Sequence, residues 1–137
     1  MGMYTELIFG AMLAKDTPAD VINTLKLLTD TEGGDERAAH NPQIVNGRNP
    51  LWGSSYYFGS LDVKPQMHYD IIAGAWIVSS RANIKNYENE IERFLAYVKP
   101  YVKQGSGERE FYAITIYETE ATPTIHYLED EVTGPAA

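Results

Sequence analysis

The chain contains no cysteine. Disulfide scaffolds, thiolate zinc sites, iron–sulfur clusters and cysteine nucleophiles are therefore excluded. Basic charge is scarce: 11 Lys and Arg stand against 19 Asp and Glu, a net charge of −8. Such a field repels phosphate backbones and argues against a nucleic-acid reader built on a broad basic surface. The acidic exception is a protein that imitates DNA and occupies a DNA-binding partner. No apolar run approaches the ~20 residues of a membrane span, so no membrane partner is expected. The opening MGMYTELIFGAML lacks the basic start of a signal peptide. The expected location is the cytoplasm, the host's if the protein is viral.

The catalytic signatures are also missing. There is no GxxxxGK[ST], and Gly105-Ser106-Gly107 is too short for a dinucleotide fingerprint and precedes a strand rather than a helix. The nucleophile elbow is absent. A two-histidine phosphoesterase needs paired His-x-Thr or His-x-Ser triplets, whereas this chain has His68-Tyr69-Asp70 and His126-Tyr127-Leu128. His68 and Asp70 share one face of a strand, but two ligands fall short of a metal site or a full acid–base constellation. His40 reads as a solvated loop residue and His126 as a surface residue on an edge strand. No catalytic residue, metal or cofactor is assigned.

What is present fits one compact domain: 137 residues, 44% of them hydrophobic. Residues 4 to 13 read as a strand apolar on both faces. Thr17 and Pro18 open a helix, with Thr17 accepting from the Asp20 amide as N-cap and Val21, Ile22, Leu25 and Leu28 as its buried stripe. Residues 30 to 50 are rich in Gly, Asp, Asn and Pro and read as a long loop.

The alternation predicts strands over 54–63 and 67–79, the latter central because Ile71, Ala73, Ala75 and Ile77 oppose Ile72, Gly74, Trp76 and Val78. Gly74 there reads as a place for close backbone or ligand approach. A second helix is expected from about Ile84, capped by Asn83 and ended by Pro100, with Tyr87, Ile91, Phe94, Leu95, Val98 and Val102 inward. Strands over 111–118 and 122–128 form a hairpin, Pro123 marking the latter as an edge. Tyr112, Ile114 and Ile116 are assigned to one face of the former strand.

The order β-α-β-β-α-β-β matches an α+β fold on the ferredoxin-like split βαβ plan, an antiparallel sheet with two helices on one face. Residues 1–128 make the domain and 129–137 an acidic C-terminal tail. The apolar second face of the sheet needs a cover: another subunit, a ligand or the long loop.

Two clusters offer binding chemistry. Arg48, Trp52, Ser54, Ser55 and Tyr57 combine flat rings for stacking with hydroxyl and guanidinium donors for phosphate. Alternation splits the serines and tyrosines between two faces, and packing beneath the helices competes as a role for each. Arg81, Asn83 and Asn86, with Lys85, stand at the start of the second helix, where free N–H groups attract anions; simple capping is the competing role.

MYTELIFGAML (3–13), SSYYFG (54–59), SRANIKNYENEIERFLAYVKPYV (80–102) and GSGEREFYAITIYE (105–118) resemble a group of small proteins encoded by phages, prophages and bacteria. The resemblance carries no established catalytic motif and transfers no functional residue. It implies a setting of counter-defence, in which small proteins sequester nucleotide immune signals or block a host protein. The expectation is a non-enzymatic, homo-oligomeric binder of a small nucleotide-like ligand. The alternatives are an interaction protein that blocks a host defence protein, and a small nucleotide-processing enzyme that uses His68 and Asp70.

Overall fold

The computed structural model describes residues 4–30, 49–52, 64–103 and 110–128. β1 (Thr5–Ala14) obeys strict alternation. Leu7, Phe9 and Leu13 are buried on one face, while Glu6, Ile8, Gly10 and Met12 lie on the other. After a turn in which the Thr17 hydroxyl donates to the Ala14 carbonyl at 2.6 Å, α1 (Ala19–Thr29) begins. Thr17 thus closes the turn instead of capping the helix, and Pro18 sits at the cap position without a side-chain bond. Val21, Ile22, Leu25 and Leu28 are buried as their spacing predicts. The last turn is tied off by Asn49, whose Nδ2 donates to the Leu28 carbonyl while its Oδ1 accepts from the Leu51 amide.

The expected strand over 54–63 lies outside the described residues. The apolar run 67–79 is not one central strand. It is a hairpin of β2 (Gln66–Asp70) and β3 (Ala75–Ile84). Asp70 makes the reversal: its Oδ1 accepts from the Ile72 and Ala73 amides, and its carbonyl accepts from Gly74 at 2.8 Å. Gly74 is needed for its φ of 65°, since no atom stands near a Cβ built there. Ile71 and Ile72, expected inside, are 85% and 98% exposed at the tip. A run that is apolar at every position gives no period to distinguish strand from turn, and the Asp-x-x-x-Gly spacing decides.

β3 runs on to Ile84, so Asn83 and Ile84 belong to the sheet and not to the second helix. That helix, α2 (Glu90–Val98), follows a 3-10 turn at Tyr87–Asn89, and Tyr87 is exposed. Ile91, Phe94, Leu95 and Val98 form its buried face, and a 3-10 turn holding Pro100 ends it. β4 (Phe111–Tyr117) and β5 (Thr124–Tyr127) make the final hairpin. A β-bulge between Phe111 and Ala113 swings Tyr112 onto Phe9, at 6.4 Å between rings, and away from the face of Ile114 and Ile116.

The sheet has five strands in the order β2-β3-β1-β4-β5, and every neighbouring pair is antiparallel. The chain leaves β1 through α1 and reaches β2 with β3 between them. It leaves β3 through α2 and reaches β4 on the far side of β1. Both helices bury their stripes in the cluster that holds Leu7, Phe9 and Leu13. Phe94 of α2 meets Phe9 edge-on at 5.3 Å, and Lys26 of α1 lies 4.9 Å over Trp76 of β3. Each fully buried large side chain in that cluster contributes about 1.5–3 kcal/mol. Among the described residues, no helix is long and apolar enough to cross a membrane.

Candidate functional site

Four of the residues singled out from the sequence, Arg48, Ser54, Ser55 and Tyr57, lie outside the described residues, as does His40. Trp52 is half-buried and follows the segment pinned to the end of α1, in the helix layer. Arg81 and Asn83 project from the opposite face of the sheet. They converge on Glu6, which stands directly across from Asn83 in the ladder. The Arg81 Nε and the Asn83 amide both donate to its carboxylate, which is 1% exposed. Arg81 supplies the countercharge and Asn83 a second hydrogen bond to a carboxylate whose burial alone would be costly.

Asn86 does act at the helix start. In the left-handed conformation, its Oδ1 accepts from the Ile91 amide at 2.7 Å, and its Nδ2 donates to Glu92. Lys85 lies over the rings of Tyr4 and Tyr87 at 5.5 and 5.9 Å. Each of these four side chains is therefore engaged within the chain.

A different place on the sheet is hollow. β1 pairs with β4 only from Thr5 to Phe9. Farther along, its flank is met by the segment after α2: Lys103 donates its amide to the Met12 carbonyl at 2.7 Å, and Leu13 bridges to Val102. Between these supports stands Gly10. The Tyr4 and Met12 carbonyls accept bonds on this flank, so by alternation the Gly10 peptide faces it too. Gly10 also interrupts the row Ile8-Gly10-Met12 on the face away from the helices, and nothing stands within 4 Å of a Cβ built on it.

The result is a cleft of about 480 Å³ over Gly10, Met12, Ile77 and Ser79, walled by Lys103, Glu110 and Phe111. A smaller cavity of about 220 Å³ adjoins it and shares Gly10, Ser79, Phe111 and Tyr112. Comparison with known proteins found no family model, curated protein or solved structure that matches the chain.

The cleft has the lining of a small-molecule site: apolar walls with a few polar groups. The Ser79 hydroxyl is exposed to it, the Phe111 ring is 55% exposed, and the Lys103 ammonium reaches across to the Ala73 carbonyl at 3.1 Å. Composition and periodicity pass over these residues because none belongs to a motif. The legible signal was the glycine at the centre of an otherwise large-residue row in β1.

His68 and Asp70 share a face, as predicted, but Asp70 is engaged by the turn amides and His68 is exposed. His126, expected at the surface, is half-buried beside α2 and bonded to the Thr115 hydroxyl at 2.9 Å. Burial pushes its imidazole below the ordinary value, and the nearby Glu92 partly opposes this. Among the described residues, no group of three or more His, Asp or Glu is placed to hold a metal ion.

Proposed function

We propose that the protein is a non-enzymatic binder that captures a small, flat, anionic ligand of nucleotide-like chemistry in the cleft over Gly10. The setting is the phage counter-defence that the resemblance implies. One observation carries this reading: the sheet omits a side chain at Gly10 where its neighbours are Ile8, Met12 and Ile77, and the space so left is bordered by an aromatic ring and by the polar residues Ser79, Lys103 and Glu110. A flat ligand would stack on Phe111, and its anionic part would meet Lys103 and the Ser79 hydroxyl. The interleaved order β2-β3-β1-β4 supports the ferredoxin-like split plan as the finer reading of the fold, with β5 added at its edge.

The test is isothermal titration against cyclic dinucleotides and NAD-derived cyclic nucleotides, with Gly10→Val as the control. Valine suits a strand, and a Cβ at Gly10 has no atom within 4 Å, so the variant is expected to fold, which its circular dichroism spectrum and melting temperature check. Heat with the wild-type chain that Gly10→Val abolishes is the expected result. No heat across the panel would remove the proposal.

The second reading is direct blockade of a host defence protein. It is supported by Ile71 and Ile72, two isoleucines held in the open by an ordered turn. A silent nucleotide panel, together with a stoichiometric host protein whose capture Ile72→Ser abolishes, would put this reading in place of the first.

A further inference from the structure

The sheet face turned away from the helices is apolar and open. Ile8, Ile114 and Ile125 stand in one row across β1, β4 and β5, and Arg81 of β3 ends that row. Ile8 and Ile125 are 36% and 41% exposed, and Phe111 beside them is 55% exposed. Ile77 and Ile116 are half-buried on the same face. A contiguous apolar patch of this kind marks an interaction site.

The relief of β1 selects the cover. On this face an exposed isoleucine and a bare glycine stand two residues apart, Ile8 as a knob and Gly10 as a hollow, with nothing within 4 Å of a Cβ built on Gly10. Two sheets packed face to face lie about 10 Å apart, and side chains from both fill the space between them. A two-fold axis lying between the sheets and crossing β1 at Phe9 lays each β1 antiparallel over the other. Ile8 then enters the hollow at the partner's Gly10, and the partner's Ile8 enters this one. The same rotation sets Ile114 toward the partner's Phe111 and the half-exposed Arg81 toward the partner's Ser79. Apolar groups meet apolar groups and a donor meets a hydroxyl, so the patch complements itself as an isologous interface requires.

We infer that a second copy of the chain covers this face in a symmetric dimer. Charge permits it: across β3, β1 and β4 the face carries one acid and one base, Glu6 and Arg81, and these are paired with each other. The net charge of −8, which would drive two copies apart, lies elsewhere. Area permits it too. Five strands, two of them ten residues long, make a face of roughly 600 Å² before side-chain relief is counted, against the roughly 800 Å² that each partner buries in a standard interface. The dimer stands without the binding reading of the cleft; where both hold, a ligand and the partner's Ile8 compete for one hollow.

The test is sedimentation equilibrium of the full chain at micromolar concentration without ligand, in the wild type, Gly10→Val, Ile8→Ala and Ile72→Ser, with circular dichroism to check folding. The wild type is expected at twice the chain mass. Gly10→Val fills the hollow and should weaken association about a hundredfold, and Ile8→Ala removes the knob and should weaken it about tenfold. Ile72→Ser, at the hairpin tip and off this face, should leave the dimer unchanged.

A wild-type monomer overturns the inference whatever the variants do. So does a dimer that survives Gly10→Val, one that Ile72→Ser dissolves, or one that binds nucleotide without losing mass. Nucleotide heat from a monomeric wild type would sink this inference and leave the cleft reading standing. A dimer broken by Gly10→Val, with no heat from any nucleotide of the panel, would do the reverse.

Discussion

The two flanks of β1 are built differently. Toward β3 the ladder is unbroken, pairing Thr5 with Ile84 at one end and Ala14 with Ala75 at the other. Toward β4 it stops at Phe9, a bulge follows, and the cleft opens before the chain closes again at Val102 and Lys103. The strand is the same and its alternation does not change. The difference lies in what the neighbour offers. A sheet with one continuous flank and a helix layer behind it can leave a gap on the other flank, here where the β1–β4 ladder does not continue past Phe9.

The sharpest way to break this comparison is to truncate one residue from each regime. Phe9 is 1% exposed and meets Phe94 and Tyr112 edge-on, so Phe9→Ala should cost about 3–5 kcal/mol in urea unfolding. Met12 lines the cleft and is only partly buried, so Met12→Ala should cost under about 1 kcal/mol. Equal losses would mean that the cleft side is packed as tightly as the core.

A smaller effect is expected at the polar end of the strand. Glu6→Ala removes the acceptor shared by Arg81 and Asn83 and should destabilise by about 1–3 kcal/mol. Glu6→Gln keeps an acceptor of the same shape and should lose less. If Glu6→Ala leaves the urea midpoint unchanged, the cluster does not help hold β1 to β3.

The smallest effect lies at the outer edge of the β4 flank, in β5. Burial lowers the His126 pKa below its ordinary value of 6.5, so the folded chain binds this proton less readily than the unfolded one. The stability held by the neutral ring is full above about pH 6.5 and is lost as the pH falls through the window beneath it. His126→Gln should flatten that slope, measured as the melting temperature between pH 7 and pH 5 (about two units, spanning the ordinary histidine value). An unchanged slope would assign the pH dependence to other groups.

Much of the fold is decided by local pattern. The period-two row of Leu7, Phe9 and Leu13 and the helical stripes of Val21 to Leu28 and Ile91 to Val98 bury the faces their spacing predicts, because each side chain's direction follows from the backbone geometry alone. Pro100 ends the second helix and Pro123 precedes an edge strand for equally local reasons.

Tertiary structure decided what local pattern leaves degenerate. The uniformly apolar 67–79 run folds back on itself at Asp70 and Gly74. Asn83 faces a carboxylate 77 residues away instead of capping a helix. Asn86 takes over at the helix start. The cleft belongs to this second class. It exists because β4 leaves β1 after Phe9, and the meeting of Gly10 with Ser79, Lys103 and Phe111 is a matter of distance in space that no spacing along the chain encodes.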